Sequence, residues 1–105
     1  MVEINNLGSP RLAEAVRLWT GWGQSMMPGR NDNRVMERFG EKDTAKLLPL
    51  IRTLKEDFYA SDAHVVAASL QEMGNMASED FKRKHPGVAE DIVKAFAWCY
   101  TFDFK

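Results

Sequence analysis

Carboxylates gathered in the middle third are the residues of this sequence most able to do chemistry. Six occur between positions 56 and 80 with no Lys or Arg among them: Glu56, Asp57, Asp62, Glu72, Glu79 and Asp80. Neighbours such as Glu79 and Asp80 point about 100° apart on a helix, so they cannot share a proton as a catalytic dyad does. This acidic stretch is interpreted as surface charge that can steer a basic partner, or as a solvated face without one.

The remaining nucleophilic and metal-ligating residues form no catalytic or metal-binding motif. No nucleophile and no metal-spaced ligand set flanks His64 or His85. Cys99 is isolated and is expected to be a small buried hydrophobe. We therefore predict no catalytic residue, metal or cofactor, and a protein that is not an enzyme. A deep pocket that holds either histidine against a carboxylate would favour an enzyme instead.

A second charged feature is a row of arginines at four-residue spacing, Arg30, Arg34 and Arg38. On a short helix and its entry loop, this spacing places the guanidinium groups on one side, where they can contact phosphate. Asp32 and Glu37 lie among them, so pairing with the protein's own carboxylates is the other interpretation. The row supports an alternative function, that of a small all-α regulatory or nucleic-acid-associated protein.

Length and composition indicate a single domain. The chain has 105 residues, 45% hydrophobic and 28% charged, with a net charge of -1, which is typical of one globular domain. Residues 1–55 hold nine Lys and Arg against six Asp and Glu (+3), whereas residues 56–105 hold five against nine (-4). The sequence shows no signal-peptide pattern, no run near the roughly 20 apolar residues of a membrane span, and one cysteine. We expect a cytoplasmic protein.

Hydrophobic spacing of three and four predicts helices throughout. Ser9 and Pro10 predict a helix start, with an end or bend at Gly21. A short helix stopped by Gly40 should follow a loop at residues 27–33. The next helix contains Pro49, which should lie in its opening turns. One continuous helix is predicted over residues 61–84, and a last helix from residue 89 onward. The predicted fold is all-α, an irregular bundle of four to five helices in a single domain, residues 1–105.

The C-terminal aromatic residues follow a different period. Aromatic side chains occupy positions 98, 100, 102 and 104. A period of two predicts an extended segment lying over the bundle, with a frayed helical turn as the alternative. Aromatic side chains that remain on the surface are favoured as interface anchors, and the candidates are Trp19, Trp22, Trp98, Phe102 and Phe104.

Three stretches carry a resemblance to a known class of protein: residues 17–23 (RLWTGWG), 57–63 (DFYASDA) and 97–103 (AWCYTFD). With the helices laid out, the chain resembles small one-domain bacterial immunity proteins, especially those paired with contact-dependent growth inhibition toxins. The resemblance implies a cytoplasmic, non-catalytic binder that covers a nuclease-type toxin domain and presents acids to its basic active site.

The acidic stretch is compatible with that function. Its carboxylates would attract a cationic cleft and mimic phosphate, while an aromatic anchor excludes water at the centre of the contact. Glu72 and Glu79 are seven residues apart and share a helix face, and Asp57 and Asp62 lie near the preceding helix junction. These four carboxylates are the predicted partner-binding residues.

Overall fold

The computed structural model describes residues 7–105, and every regular element in that range is a helix. The helices are α1 (Pro10–Thr20), α2 (Asp32–Tyr59), α3 (Ala63–Val66), α4 (Leu70–Lys84) and α5 (Glu90–Asp103). The predicted all-α bundle of four to five helices is therefore confirmed. Within the described residues, no helix combines the length and the apolarity needed to cross a membrane.

The predicted ends of α1 are confirmed. The Ser9 hydroxyl accepts hydrogen bonds from the first backbone N–H groups of the helix, and Pro10 occupies its first position. Gly21 ends it with φ +85°, a left-handed conformation that glycine adopts without a steric penalty. The following loop folds back, because Gly29 N–H donates to the Thr20 carbonyl at 2.9 Å.

Helix α2 consists of two helical segments separated at Gly40, as the sequence predicts. The Asn31 side chain caps it, and Gly40 (φ +83°, ψ 168°) breaks it as expected, but the chain re-enters the helix at once. Pro49 therefore lies well inside α2 rather than in opening turns, which corrects the prediction. Helical spacing predicts a buried stripe of Leu47, Ile51, Leu54 and Phe58 in its second half. The last three are buried, and Leu47 is half-buried.

The prediction of one continuous helix over residues 61–84 is wrong. The chain leaves the helical conformation at Ala67 (φ -74°, ψ 146°) and restarts in α4. The restart is a local capping arrangement: the Ser69 hydroxyl accepts from Glu72 N–H, and the Glu72 carboxylate accepts from Ala68 N–H. Val66 and Leu70, which a continuous helix over residues 61–84 would place on its apolar stripe, are consequently 58% and 48% exposed.

The prediction of an extended C-terminal segment is also wrong, since α5 continues through Asp103. Four-residue spacing explains how alternating aromatic residues fit a helix: Trp98 and Phe102 share one face, and Tyr100 and Phe104 share another. Tyr100 is fully buried, whereas Trp98 is only half-buried. The two pairs therefore have different surroundings.

An aromatic cluster forms the centre of the core. The Phe58 ring lies 5.1 Å from Phe81, 6.0 Å from Phe96 and 5.6 Å from Tyr100, measured between ring centroids. The buried Tyr100 hydroxyl donates to the Ser61 carbonyl at 2.8 Å and accepts from a backbone N–H of α3 at 3.1 Å. Helix α5 is thereby tied to the connection between α2 and α3.

Candidate protein-binding site

The candidate site is a groove between α4 and α5, which run antiparallel because a short connection joins them. Gly74 allows the two helices to approach at mid-length, since a Cβ added there would lie 3.2 Å from Thr101 Cγ2. At the far end, Lys82 Nζ pairs with the Glu90 carboxylate at 3.6 Å. The two helices enclose an open groove of about 910 Å³, with Trp22 from the α1–α2 loop at its border.

Apolar side chains line much of this α4–α5 groove. The largest are Leu70, Trp22, Trp98 and Phe102, and Val93 and Ala97 add smaller surface between them. Trp22, Trp98 and Phe102 are half-buried, and Leu70 is exposed. Clustered large apolar side chains within a polar rim are typical of a protein-binding surface.

The charges of the groove are mixed. Besides the Lys82–Glu90 pair, the charged side chains are Glu79 from α4, Lys94 from α5 and Lys105 just beyond α5. Among residues 7–105, no group of opposite charge lies within 4.0 Å of Glu79, Lys94 or Lys105. Lys105 Nζ instead lies 4.4 Å from the centre of the Phe102 ring. The groove is therefore not the acidic surface that the sequence suggests.

The four predicted carboxylates have different surroundings. Glu79 lines the α4–α5 groove. Glu72 lies on the same helix but uses its carboxylate in the α4 cap. Asp57 accepts from His85 Nε2 at 2.8 Å, and Asp62 lines a separate depression beside the C-terminal end of α4. Of these four carboxylates, only Glu79 lines the groove that holds Trp22, Trp98 and Phe102.

The basic residues that end α4 fold back over the acidic stretch. Lys84 Nζ donates to the Asp57 carbonyl at 3.1 Å, and Arg83 forms an ion pair with Asp80. Asp80 also accepts from the Ser61 hydroxyl at 2.7 Å. This region, called the α2–α3 junction here, comprises residues 57–62, Asp80 and residues 83–85. Its positive and negative groups lie together, which weakens any field directed at a partner.

The sequence pattern predicts only a helix-end role for those basic residues. Cations at a helix C-terminus compensate unpaired carbonyl groups, and residues 82–84 fit that role without any further partner. Packing of α4 against α2 and α3 brings the last turn of α4 beside the end of α2. The sequence feature that could have revealed this contact is the length of α4, because that length determines where its last turn lies.

Both histidines make contacts that are explained by packing. The His85 ring lies 5.1 Å from the Phe81 ring while its Nε2 bonds Asp57, so it joins the end of α4 to α2. Neither His85 nor Asp57 lines the α4–α5 groove or the depression beside Asp62. His64 Nδ1 lies 2.8 Å from the Tyr100 hydroxyl, and its ring stacks on Phe104 at 4.2 Å.

The three arginines have separate partners. Arg38 pairs with Glu14 at 2.7 Å, and Arg30 lies 3.8 Å from the Asp103 carboxylate. Arg34 donates to the Ser25 hydroxyl at 3.3 Å. Their contacts to the protein's own groups match the interpretation of internal pairing more closely than that of a phosphate-binding row.

Aromatic candidates other than those of the groove have internal roles. Trp19 is 3% exposed and donates its indole N–H to Asp32 at 2.8 Å. Phe104 is 39% exposed and covers His64. Burial raises the pKa of the Cys99 thiol to about 12, as expected for a buried side chain that stays protonated. Lys94 and Lys105 were missed, because a lone lysine in a helical pattern carries no signal of its own.

No protein-family model matches the chain, and comparisons with curated proteins and with solved structures give no significant match. In the described part of the chain, no three His, Cys, Asp or Glu side chains converge in a way that could hold a metal ion. The functional argument therefore depends on the α4–α5 groove and its side chains.

Proposed function

We propose that the protein is a non-catalytic immunity protein of the cytoplasm, which binds a cognate nuclease-type toxin domain and neutralises it by covering it. The observation that carries this proposal is the α4–α5 groove, where Trp22 and Trp98 are half-buried around an apolar floor. Tryptophans that are half-covered in the free protein and fully covered in a complex are the commonest energetic centres of protein interfaces.

Glu79 is the carboxylate best placed to act in this interface. It lies in the same groove as Trp98, and within residues 7–105 no cation neutralises it at ion-pair distance. Asp57 and Glu72 already accept hydrogen bonds from the protein itself, so less of their charge is available to a partner. Asp62 is exposed but lies beside Arg83 and Lys84. We expect Glu79 to contribute most and the other three less.

The aromatic residues and the charges have separate roles in this proposal. Burying the apolar surface of the groove supplies most of the affinity, since a few central aromatic residues dominate measured interfaces. Charges at the rim select the partner and raise the association rate more than they raise the affinity. Neutralisation needs no reaction at all, because covering the toxin's active site excludes its substrate.

Co-expression with the product of the adjacent gene, which the proposal expects to carry the toxin domain, tests the proposal. The wild-type protein should restore growth and form a complex with the purified domain. The Trp98→Ala variant should do neither at equal expression, whereas Met36→Ala, which removes an exposed side chain of α2 outside the groove, should behave as wild type. Lack of both complex formation and rescue by the wild-type protein would refute the immunity function.

A further inference from the structure

The dimensions of the α4–α5 groove suit one kind of occupant. Its α4 wall runs from Leu70 to Lys82, which is about 18 Å at the helical rise of 1.5 Å per residue. Both walls are helices, whose backbone N–H and C=O groups are already paired along the helix, so an added strand would find no backbone partners. A helix of about three turns has a matching length and can place one row of apolar side chains on the floor.

The charges that flank the floor are ordered. Close contact of Gly74 with Thr101 and pairing of Lys82 with Glu90 set the antiparallel register, which places Glu79 at about the level of Lys94. Lys94 lies on α5 and Lys105 lies just beyond its end, and neither side chain has a carboxylate within 4.0 Å in the described chain. Lys82 of α4 and Glu90 of α5 also line the groove, but they pair with each other. The unpaired charges are therefore two lysines on the α5 side and one glutamate on the α4 side.

We infer that the occupant of the groove is an amphipathic helix of the partner protein, with carboxylates along the flank that faces α5 and a basic residue on the flank that faces Glu79. Its apolar side chains contact Trp98 and Leu70, and its carboxylates lie opposite Lys94 and Lys105. This inference rests on the proposed function and adds the chemistry of the partner's contacting segment. It also assigns the two lysines a role in choosing the partner, since they attract carboxylates on the facing flank and repel a helix that is basic there.

Two synthetic 16-residue helical peptides test this inference directly. Both carry leucines at helical spacing on one face and a basic residue on the flank nearest Glu79. On the flank nearest Lys94 and Lys105, the acidic peptide has Glu and the basic peptide has Lys. Binding is followed by NMR through the three tryptophan indole N–H signals. Trp22 and Trp98 report on the groove, and the buried Trp19 serves as an internal reference.

The acidic peptide should shift the Trp22 and Trp98 signals, leave the Trp19 signal in place, and bind at least tenfold more tightly than the basic peptide. In the double variant Lys94→Glu and Lys105→Glu, the preference should reverse. The matched variant Lys42→Glu and Lys46→Glu has the same charge change at exposed positions of α2 and should keep the wild-type preference.

Three results would overturn the inference. These are the absence of shifts at both groove tryptophans with either peptide, an unchanged preference in the Lys94 and Lys105 variant, and shifts that appear with rising protein concentration alone. The last would indicate a second copy of this chain as the occupant. If both peptides fail while the toxin domain still binds wild type but not Trp98→Ala, the immunity function stands and the helical occupant is wrong. Binding of the acidic peptide without toxin binding would support the helical occupant and refute the immunity function.

Discussion

The α4–α5 groove and the α2–α3 junction use similar residues in opposite ways. At the junction, Asp57 accepts a hydrogen bond from His85, and Asp80 forms an ion pair with Arg83. The buried Tyr100 hydroxyl donates to the Ser61 carbonyl in the same region. In the groove, tryptophans are half-exposed, and the described chain provides no ion-pair partner for Glu79. Groups already matched within one chain stabilise its fold, whereas unmatched groups remain available for binding.

A run of like charges in a sequence does not by itself produce a charged surface, because residues from elsewhere in the chain can fold against it. The acidic stretch contains no Lys or Arg over 25 positions, yet residues 83–85, which follow it in the chain, contact it in space. Substitutions at the junction should therefore change stability, and substitutions in the groove should change binding.

The largest effect is expected from the groove. Replacing Trp98 by Ala should weaken toxin binding by about 30-fold or more, on the order of 2 kcal/mol, as for other central aromatic residues of interfaces. Its melting temperature should stay near that of wild type, because the side chain is only half-buried. Titration calorimetry and thermal melts measure the two quantities, and a large loss of stability with unchanged affinity would place Trp98 in the core instead.

The second largest effect is expected on stability, from a substitution at the α2–α3 junction. Tyr100→Phe removes a buried hydroxyl that bonds the Ser61 carbonyl and the His64 N–H, leaving both without this partner. Unfolding free energy should fall by about 1–3 kcal/mol, which is the usual penalty for unsatisfied buried groups. Urea denaturation measures it, and affinity for the toxin domain should remain within twofold. A loss below about 0.5 kcal/mol would show that water replaces the hydroxyl.

A pH titration tests the burial of Cys99, which lies on the side of α5 that faces the core. Burial raises the pKa of Cys99 from 9.0 to about 12, so above pH 9 the unfolded chain loses a proton that the folded protein keeps. The stabilisation is complete below pH 9 and is lost between pH 9 and 12, at up to about 1.4 kcal/mol per pH unit. Compared with Cys99→Ala in urea denaturation, the wild-type protein should lose stability faster over this range. Parallel curves for the two proteins would contradict the buried thiol.

The smallest effect is expected from a comparison of the stability changes caused by substituting Glu72 and Glu79, both on α4. Glu72→Ala removes the acceptor of the Ala68 N–H and should lower the unfolding free energy by about 1 kcal/mol, as for other helix caps. Glu79→Ala is the matched control, because it makes the same change on α4 at an exposed position without a cap. Its unfolding free energy should stay within about 0.5 kcal/mol of wild type. Equal losses in urea denaturation would mean that the cap adds nothing.

Local chemistry made much of the fold predictable. Ser9, Pro10 and Gly21 set the ends of α1 by rules that involve only neighbouring residues, and the buried stripes of α2 and α5 follow helical spacing. The break at Ala67 was missed because the cap formed by Ser69 and Glu72 competes with a continuing apolar stripe. The period of two at the C-terminus was misread, since two aromatic pairs at four-residue spacing give the same alternation.

The candidate site was less predictable than the fold. Trp22, Trp98 and Phe102 were predicted as candidate anchors, but the register that joins them into one groove depends on long-range packing. The same packing brings residues 83–85 onto the acidic stretch. Neither result follows from spacing along the chain.

Charge reversal at two exposed carboxylates tests the central claim most directly. Glu79 lies in the groove and Asp62 lies in the junction, and the described chain places no cation at ion-pair distance from either. We predict that Glu79→Lys weakens calorimetrically measured binding of the toxin domain at least tenfold and that Asp62→Lys changes it less than threefold. A tenfold loss for Asp62→Lys with an unchanged affinity for Glu79→Lys would contradict the assignment of binding to the α4–α5 groove.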